Sequence, residues 1–135
     1  LYDAVARAAR DWLAGFLTAR APGSLGTPLA ALARAQEALG SIQALLHTNQ
    51  VLLDDAARRT DEGAWPAPTE AGLLKYSVTS NAIAAVEQAL RLSGNHGLSR
   101  NNPLERHYRD VLCGRVHTPQ DDSVLQAAGR AALGL

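Results

Sequence analysis

The chain has 135 residues and a formal net charge of zero, with 13 Lys and Arg against 13 Asp and Glu; 47% of it is apolar but only 4% aromatic. Such a length fits one domain that can bury a core without staples. The neutral balance disfavours a cationic nucleic-acid face, and the single Cys113 excludes an intrachain disulfide or a multi-cysteine metal site.

With so few aromatic residues the core must be built from Leu, Ala, Val and Ile, a composition suited to close-packed helices. Residues 2–20 place Val5, Ala9, Trp12 and Phe16 on one stripe with Leu13 and Leu17 beside it, which is helical spacing. "APGSLG" at 21–26 breaks the helix. Thr27-Pro28 is expected to restart it, because threonine can cap free amides and proline suits the first helical position. Leu29, Leu32, Gln36, Leu39, Ile42, Leu46, Leu53 and Ala57 then define one broad face that ends near Gly63. After the "GAWPAP" break, residues 69–93 form a third long helix with Leu74, Val78, Ile83, Val86 and Leu90 inward and Gly94 as its stop.

Asn102-Pro103-Leu104-Glu105 reads as a capping box opening a short helix to about Val111, and Thr118-Pro119-Gln120-Asp121 opens a final helix to about Leu133. No strand pattern is present. The expected fold is all-α: an antiparallel up-down four-helix bundle with a short extra helix. Ala127, Ala128, Ala131 and Ala132 would let the last helix approach the bundle, or another subunit, closely.

No apolar run is long enough to span a bilayer without interruption by Arg, Asp, Gln or Asn, so no membrane partner is expected. The lone cysteine suits a reducing cytoplasm. There is no methionine, even at position 1, and the chain opens inside an amphipathic helix; we expect it to be a piece of a longer protein.

The polar segment "GNHGLSRNNPLERHYRDVLCGRVHTPQDD", 94–122, is more than packing requires. On spacing, Arg106 and Asp110 read as a surface ion pair. Gly94 and Gly97, around Asn95 and His96, read as a helix-ending turn or as a turn offering amides to a phosphate, and spacing favours the former. No two of His47, His96, His107 and His117 have the helical spacing of a zinc site. His47 is expected in a hydrogen-bonded core or interface position and Cys113 as a buried, inert thiol. His117, in a loop before a helix start, could present an imidazole to a pocket as acid, base or donor, or be a solvated loop histidine.

"AGLLKYSVTSNAIAAVEQALRLSGNHGLSRNNPLERHYRDV", 71–111, resembles the C-terminal helical domain of the acyl-CoA dehydrogenase family. The matching features are Lys75, the alanine-rich run 82–89, the turn Gly94–Gly97, Glu105-Arg106 and Arg109-Asp110. Arg20, Leu25-Gly26 and Gln36 resemble the family's arginine, aromatic-glycine and glutamine, with leucine replacing the aromatic and a longer loop between. The resemblance implies a flavoenzyme whose N-terminal helical and middle β-domains lie outside residues 1–135. It further implies FAD as cofactor and a homo-oligomer, a tetramer or dimer of dimers, with these bundles at its centre.

On this resemblance Arg20, Gly94, Asn95, His96, Gly97, Thr118 and Gln120 are the expected cofactor contacts, the glycine turn reaching a neighbouring subunit's FAD. The substrate would be a small molecule such as an acyl-CoA. Thr118 stands where many members carry a catalytic glutamate and cannot be a base; Glu70 and Glu87 are the carboxylates available on the long helix. A flavin-dependent monooxygenase branch of the same fold carries a histidine at the place of His117, which makes His117 the candidate catalytic residue. The readings are thus an acyl-CoA dehydrogenase-like oxidoreductase, a reduced-flavin-dependent monooxygenase of the same fold, and a non-catalytic helical oligomerisation module.

Overall fold

The computed structural model describes residues Leu1–Leu135. It is all-helical: α1 (Tyr2–Ala19), α2 (Ala33–Asp61), α3 (Pro68–Ser93), α4 (Leu104–Leu112) and α5 (Asp121–Ala132). None of them is long and apolar enough to cross a membrane.

The core forms where α1–α4 meet. Leu13, Ile42, Leu46, Val86, Leu104 and Val111 are fully buried there. The inward line of α1 is Asp3, Ala6, Ala9, Leu13 and Leu17. The stripe expected from sequence is rotated to its flank, where Val5, Trp12 and Phe16 are half-buried against the core. Ala6 and Ala9 explain the rotation, since small side chains let α1 approach α3 closely. The fourth core member is the short α4, through Leu104 and Val111, while α5 packs on α3 and buries only Val124. Val124 fits because Gly72 leaves room: a Cβ on Gly72 would lie 3.3 Å from both Val124 methyls. Ala127, Ala131 and Ala132 stay exposed.

Thr27 caps nothing. Leu29–Ala31 form a 3-10 turn, and α2 begins only at Ala33. The Leu29 N–H is bound by the Arg20 carbonyl at 2.9 Å, tying the loop back to α1, and Gln36 Nε2 closes the turn on the Ala30 carbonyl at 3.0 Å. Farther on, α2 buries Ala35, Ile42, Leu46 and Asn49. Beyond Asn49 it outruns α1, which leaves Leu53 38% exposed and Ala57 exposed. Gly63, at φ +77°, makes the turn toward α3, and an Arg59–Glu70 ion pair joins the two helices there.

A buried polar knot sets the register of the three long helices. Asn49, fully buried, donates from Nδ2 to Asp3 Oδ1 at 2.9 Å and to the Val78 carbonyl at 3.0 Å, and its Oδ1 accepts from Asn81 Nδ2 at 3.0 Å. Arg7 Nε holds the other Asp3 oxygen at 2.6 Å, and its Nη2 reaches the Leu46 carbonyl and Gln50. Every buried side-chain polar atom has a partner. Asn49→Ala strands these groups and should lower stability by about 2–4 kcal/mol, read as a reduced urea midpoint at unchanged m-value.

Candidate functional site

The expected site residues fall into two surface clusters at opposite ends of α1. Tyr2 and Phe16, which mark them, are 14 residues apart, about 21 Å along a helix.

The first cluster holds Arg20 and the turn after α3. Gly94, at φ +57°, ends α3 as expected and donates its N–H to the Leu90 carbonyl. Gly94–Leu98 then form a 3-10 turn in which Gly94, Asn95 and His96 are exposed and Gly97 is buried. Gly97 is glycine for packing: a Cβ there would collide with Ser93 Oγ and lie 3.1 Å from Leu90 Cδ2 and 3.2 Å from Leu104 Cδ2. The His96 ring packs on Phe16 with centroids 5.4 Å apart, and Phe16 stacks on Trp12 at 5.2 Å. Asn102 fixes the turn, donating from Nδ2 to the His96 carbonyl at 2.5 Å and accepting the Leu104 N–H at 2.9 Å.

The expected capping box does not form: the N-cap of α4 is Pro103, which carries no side-chain cap, Asn102 stands one residue before it, and Glu105 does not reach back. Glu105 pairs instead with Arg109 at 3.0 Å, and this pair, one turn along α4, replaces the expected Arg106–Asp110 pair. Arg106 is thereby left without a carboxylate partner, and Arg20, Arg91 and Arg100 have none either. Cations, an exposed main-chain turn and an aromatic ring together can serve an anionic ligand with a planar group.

The second cluster is the loop from α4 to α5. Lys75, the chain's one lysine, donates from Nζ to the Gly114 carbonyl at 2.5 Å and to Asp121 Oδ1 at 2.9 Å. Gly114 is buried, and a Cβ on it would lie 3.2 Å from Thr79 Cβ and Cγ2 and 3.4 Å from Tyr2 Cδ2. Between these fixed points His117 stands exposed, its Nδ1 3.0 Å from the Tyr2 hydroxyl and its ring edge-on to the Tyr2 ring at 6.0 Å and 87°. Thr118 and Gln120 are exposed beside it. Thr118 does not cap α5; Gln120 precedes the first turn and its carbonyl receives the Val124 N–H at 3.0 Å. An apolar recess of about 280 Å³ lies alongside, lined by Leu1, Tyr2, Asp3, Leu53, Ala71, Leu74, Lys75, Val78 and Thr79.

Several expectations change. Cys113 is exposed, not buried, because Val111 and Gly114 take the inward positions on either side of it. His47 is exposed on α2, whose inward residues there are Leu46 and Asn49, so of its two expected positions the core is excluded. Glu87 is bound by the Tyr108 hydroxyl at 3.4 Å. Arg59, hydrogen-bonded to Glu70, holds that carboxyl below its usual range, the wrong direction for a base at neutral pH. Tyr2, Gly114 and Asn49 were not singled out in the sequence. The available signal was a polar residue on an apolar stripe, Asn49 after Ile42 and Leu46.

The family described as "Acyl-CoA dehydrogenase, C-terminal domain" matches residues 4–130. The chain belongs to the acyl-CoA dehydrogenase family and is its C-terminal helical domain. YdbM of Bacillus subtilis (strain 168) is 35% identical over 133 residues, covering 93% of this chain and 33% of that protein. A 3-(aryl)acrylate reductase of Clostridium sporogenes (strain ATCC 15579) is 33% identical over 84 residues, covering 62% of this chain and 22% of the reductase. Butyryl-CoA dehydrogenase from Megasphaera elsdenii superposes with a TM-score of 0.87 at 23% identity, covering 98% of this chain and 34% of that one. Glutaryl-CoA dehydrogenase from Mycobacterium smegmatis in complex with FADH2 superposes with a TM-score of 0.89 at 20% identity, covering 99% and 34%. The chain thus spans about a third of the length of its fuller matches.

Two predictions follow from packing and charge. Gly97→Ala should destabilise the chain by about 1–3 kcal/mol through overpacking against Leu90 and Leu104, measured by urea unfolding. Burial pushes the His107 imidazole below 6.5, Arg106 pushes it further down and Asp110 offsets part of this. The unfolded state then holds more proton between the native value and 6.5. The stability from this group is full above that range and lost as pH falls through the native value. His107→Gln should flatten the fall in thermal midpoint as pH drops below 6.5, relative to the parent chain.

Proposed function

We propose that this domain belongs to an FAD-dependent, acyl-CoA dehydrogenase-like oxidoreductase acting on a CH–CH bond, with N-terminal helical and middle β-domains completing the enzyme. In it the bundle forms one wall of the flavin and substrate site and part of the core of a homo-oligomer, a tetramer or dimer of dimers. The observation that carries the reading is the match to this family over residues 4–130, with an apolar recess open beside the loop that follows α4.

Arg20, Gly94, Asn95 and His96, with Gly97 behind them, would hold the ADP half of FAD, and Thr118 and Gln120 would face its flavin end. Bound FAD supplies two-electron redox chemistry. The chain's own part is proton handling and orientation. His117 takes or gives a proton at its imidazole, and the Thr118 hydroxyl can hydrogen-bond but not act as base near neutral pH. The neighbouring apolar recess suits the hydrocarbon part of a substrate such as an acyl-CoA.

One observation favours a second reading. With Thr118 in the loop, Glu70 paired to Arg59 and Glu87 bound to Tyr108, His117 is the acid–base group this loop offers. That suits a reduced-flavin-dependent monooxygenase of the same fold. The full-length protein separates the two. Tightly bound yellow FAD that bleaches anaerobically with an acyl-CoA supports dehydrogenation, whereas oxygenation that requires a flavin reductase supports the monooxygenase.

In either case His117→Ala in the full-length protein should lower turnover about a hundredfold or more; unchanged activity removes His117 from the chemistry. The domain alone should neither retain FAD nor turn over substrate, and a yellow, active domain would overturn the assignment of half the pocket to other domains.

A further inference from the structure

We propose that Tyr2 is a positioning residue for His117: its hydroxyl occupies Nδ1, so that Nε2–H is the edge His117 presents outward. The inference rests on the reading that His117 serves the chemistry.

A neutral imidazole has one donor and one acceptor nitrogen, and the partner of one sets the role of the other. Here Nδ1 has a partner, the Tyr2 hydroxyl at 3.0 Å, and that hydroxyl makes no other hydrogen bond. The phenolic O–H is the more acidic donor and the imidazole nitrogen the better acceptor, which favours donation from Tyr2 into Nδ1 and leaves the proton on Nε2.

The brace is rigid from both sides. Tyr2 precedes Asp3, which Asn49 and Arg7 hold, and the edge of its ring meets the position where Gly114 lacks a Cβ. The loop carrying His117 is tied by Lys75 at Gly114 before it and at Asp121 after it. The His117 N–H also returns to the Cys113 carbonyl at 2.9 Å. Only rotation about the side-chain bonds of His117 remains free, and the Tyr2 hydrogen bond is what limits it.

The test has two parts. Two-bond ¹H–¹⁵N spectra of this chain, with His117 assigned through His117→Ala, should show an unprotonated Nδ1 and a protonated Nε2 at a pH where the ring is neutral. Tyr2→Phe keeps the ring packing and removes only the hydroxyl. It should shift the His117 nitrogens toward tautomer averaging while leaving the unfolding midpoint of the domain nearly unchanged. In the full-length enzyme the same variant should lower kcat about tenfold, the scale of one hydrogen bond, with KM unchanged.

Tautomer signals that are unbiased in the parent chain, or unaltered by Tyr2→Phe, overturn the proposal whatever the activity. A lost bias with full kcat overturns it too, because positioning would then be without consequence. An unimpaired His117→Ala enzyme overturns the reading beneath it and the proposal with it. That case is recognisable because the Tyr2-dependent tautomer persists in the spectra.

Discussion

The buried amide of Asn49 is the constraint on which the remaining geometry depends. Alanine and leucine stripes bury area well but slide easily, since one turn of slippage replaces one small apolar contact with another. Three directional hydrogen bonds from one buried side chain do not tolerate such a shift. They join α1 through Asp3, α3 through Val78 and Asn81, and α2 through Asn49 itself. Asp3 is adjacent to Tyr2, so the lock on helix register is also a lock on the residue that meets His117.

A short stretch of α3 extends this order to the loop that carries His117. Lys75 binds the loop at Gly114 and Asp121, Val78 takes the Asn49 amide through its carbonyl, and Thr79 packs where Gly114 has no side chain. These positions follow helical spacing, so one face of α3 faces both the polar knot and the loop. A lysine suits the role better than an arginine. A single ammonium with three donors can serve a carbonyl and a carboxylate that diverge, where a planar guanidinium would demand a flatter pair of acceptors.

The helices were legible in the sequence because period and punctuation agree: "APGSLG", "GAWPAP" and Gly94 each end a helix where the apolar spacing also fails. Less legible was which helices share the core. Counting length favours α5 over α4, yet α4 inserts Leu104 and Val111 while α5 has only Val124 buried. Site residues on one loop, such as His117, Thr118 and Gln120, could be grouped from sequence. The Tyr2–His117 contact could not, because it links positions 115 residues apart and arises from tertiary packing alone. Cys113, and the core alternative for His47, failed for a related reason: a helix has several faces, and spacing does not say which neighbour covers each.

The separation of the two clusters constrains how the domain can work. Arg20 and the Gly94–His96 turn lie at one end of α1, and the His117 loop at the other, about 21 Å away by helical rise. Both present polar groups that the fold does not consume: unpaired arginines and an imidazole on Phe16 at one end, and an imidazole on Tyr2 at the other. A ligand held only by one end would leave the other without a purpose. An extended cofactor spanning one end in each of two chains, or both ends through neighbouring domains, gives each cluster a partner. In the enzyme proposed above, these side chains would form the wall of a shared cleft. The His117 end is held from behind by Asn49 and Lys75, and the Gly94–His96 end by Asn102.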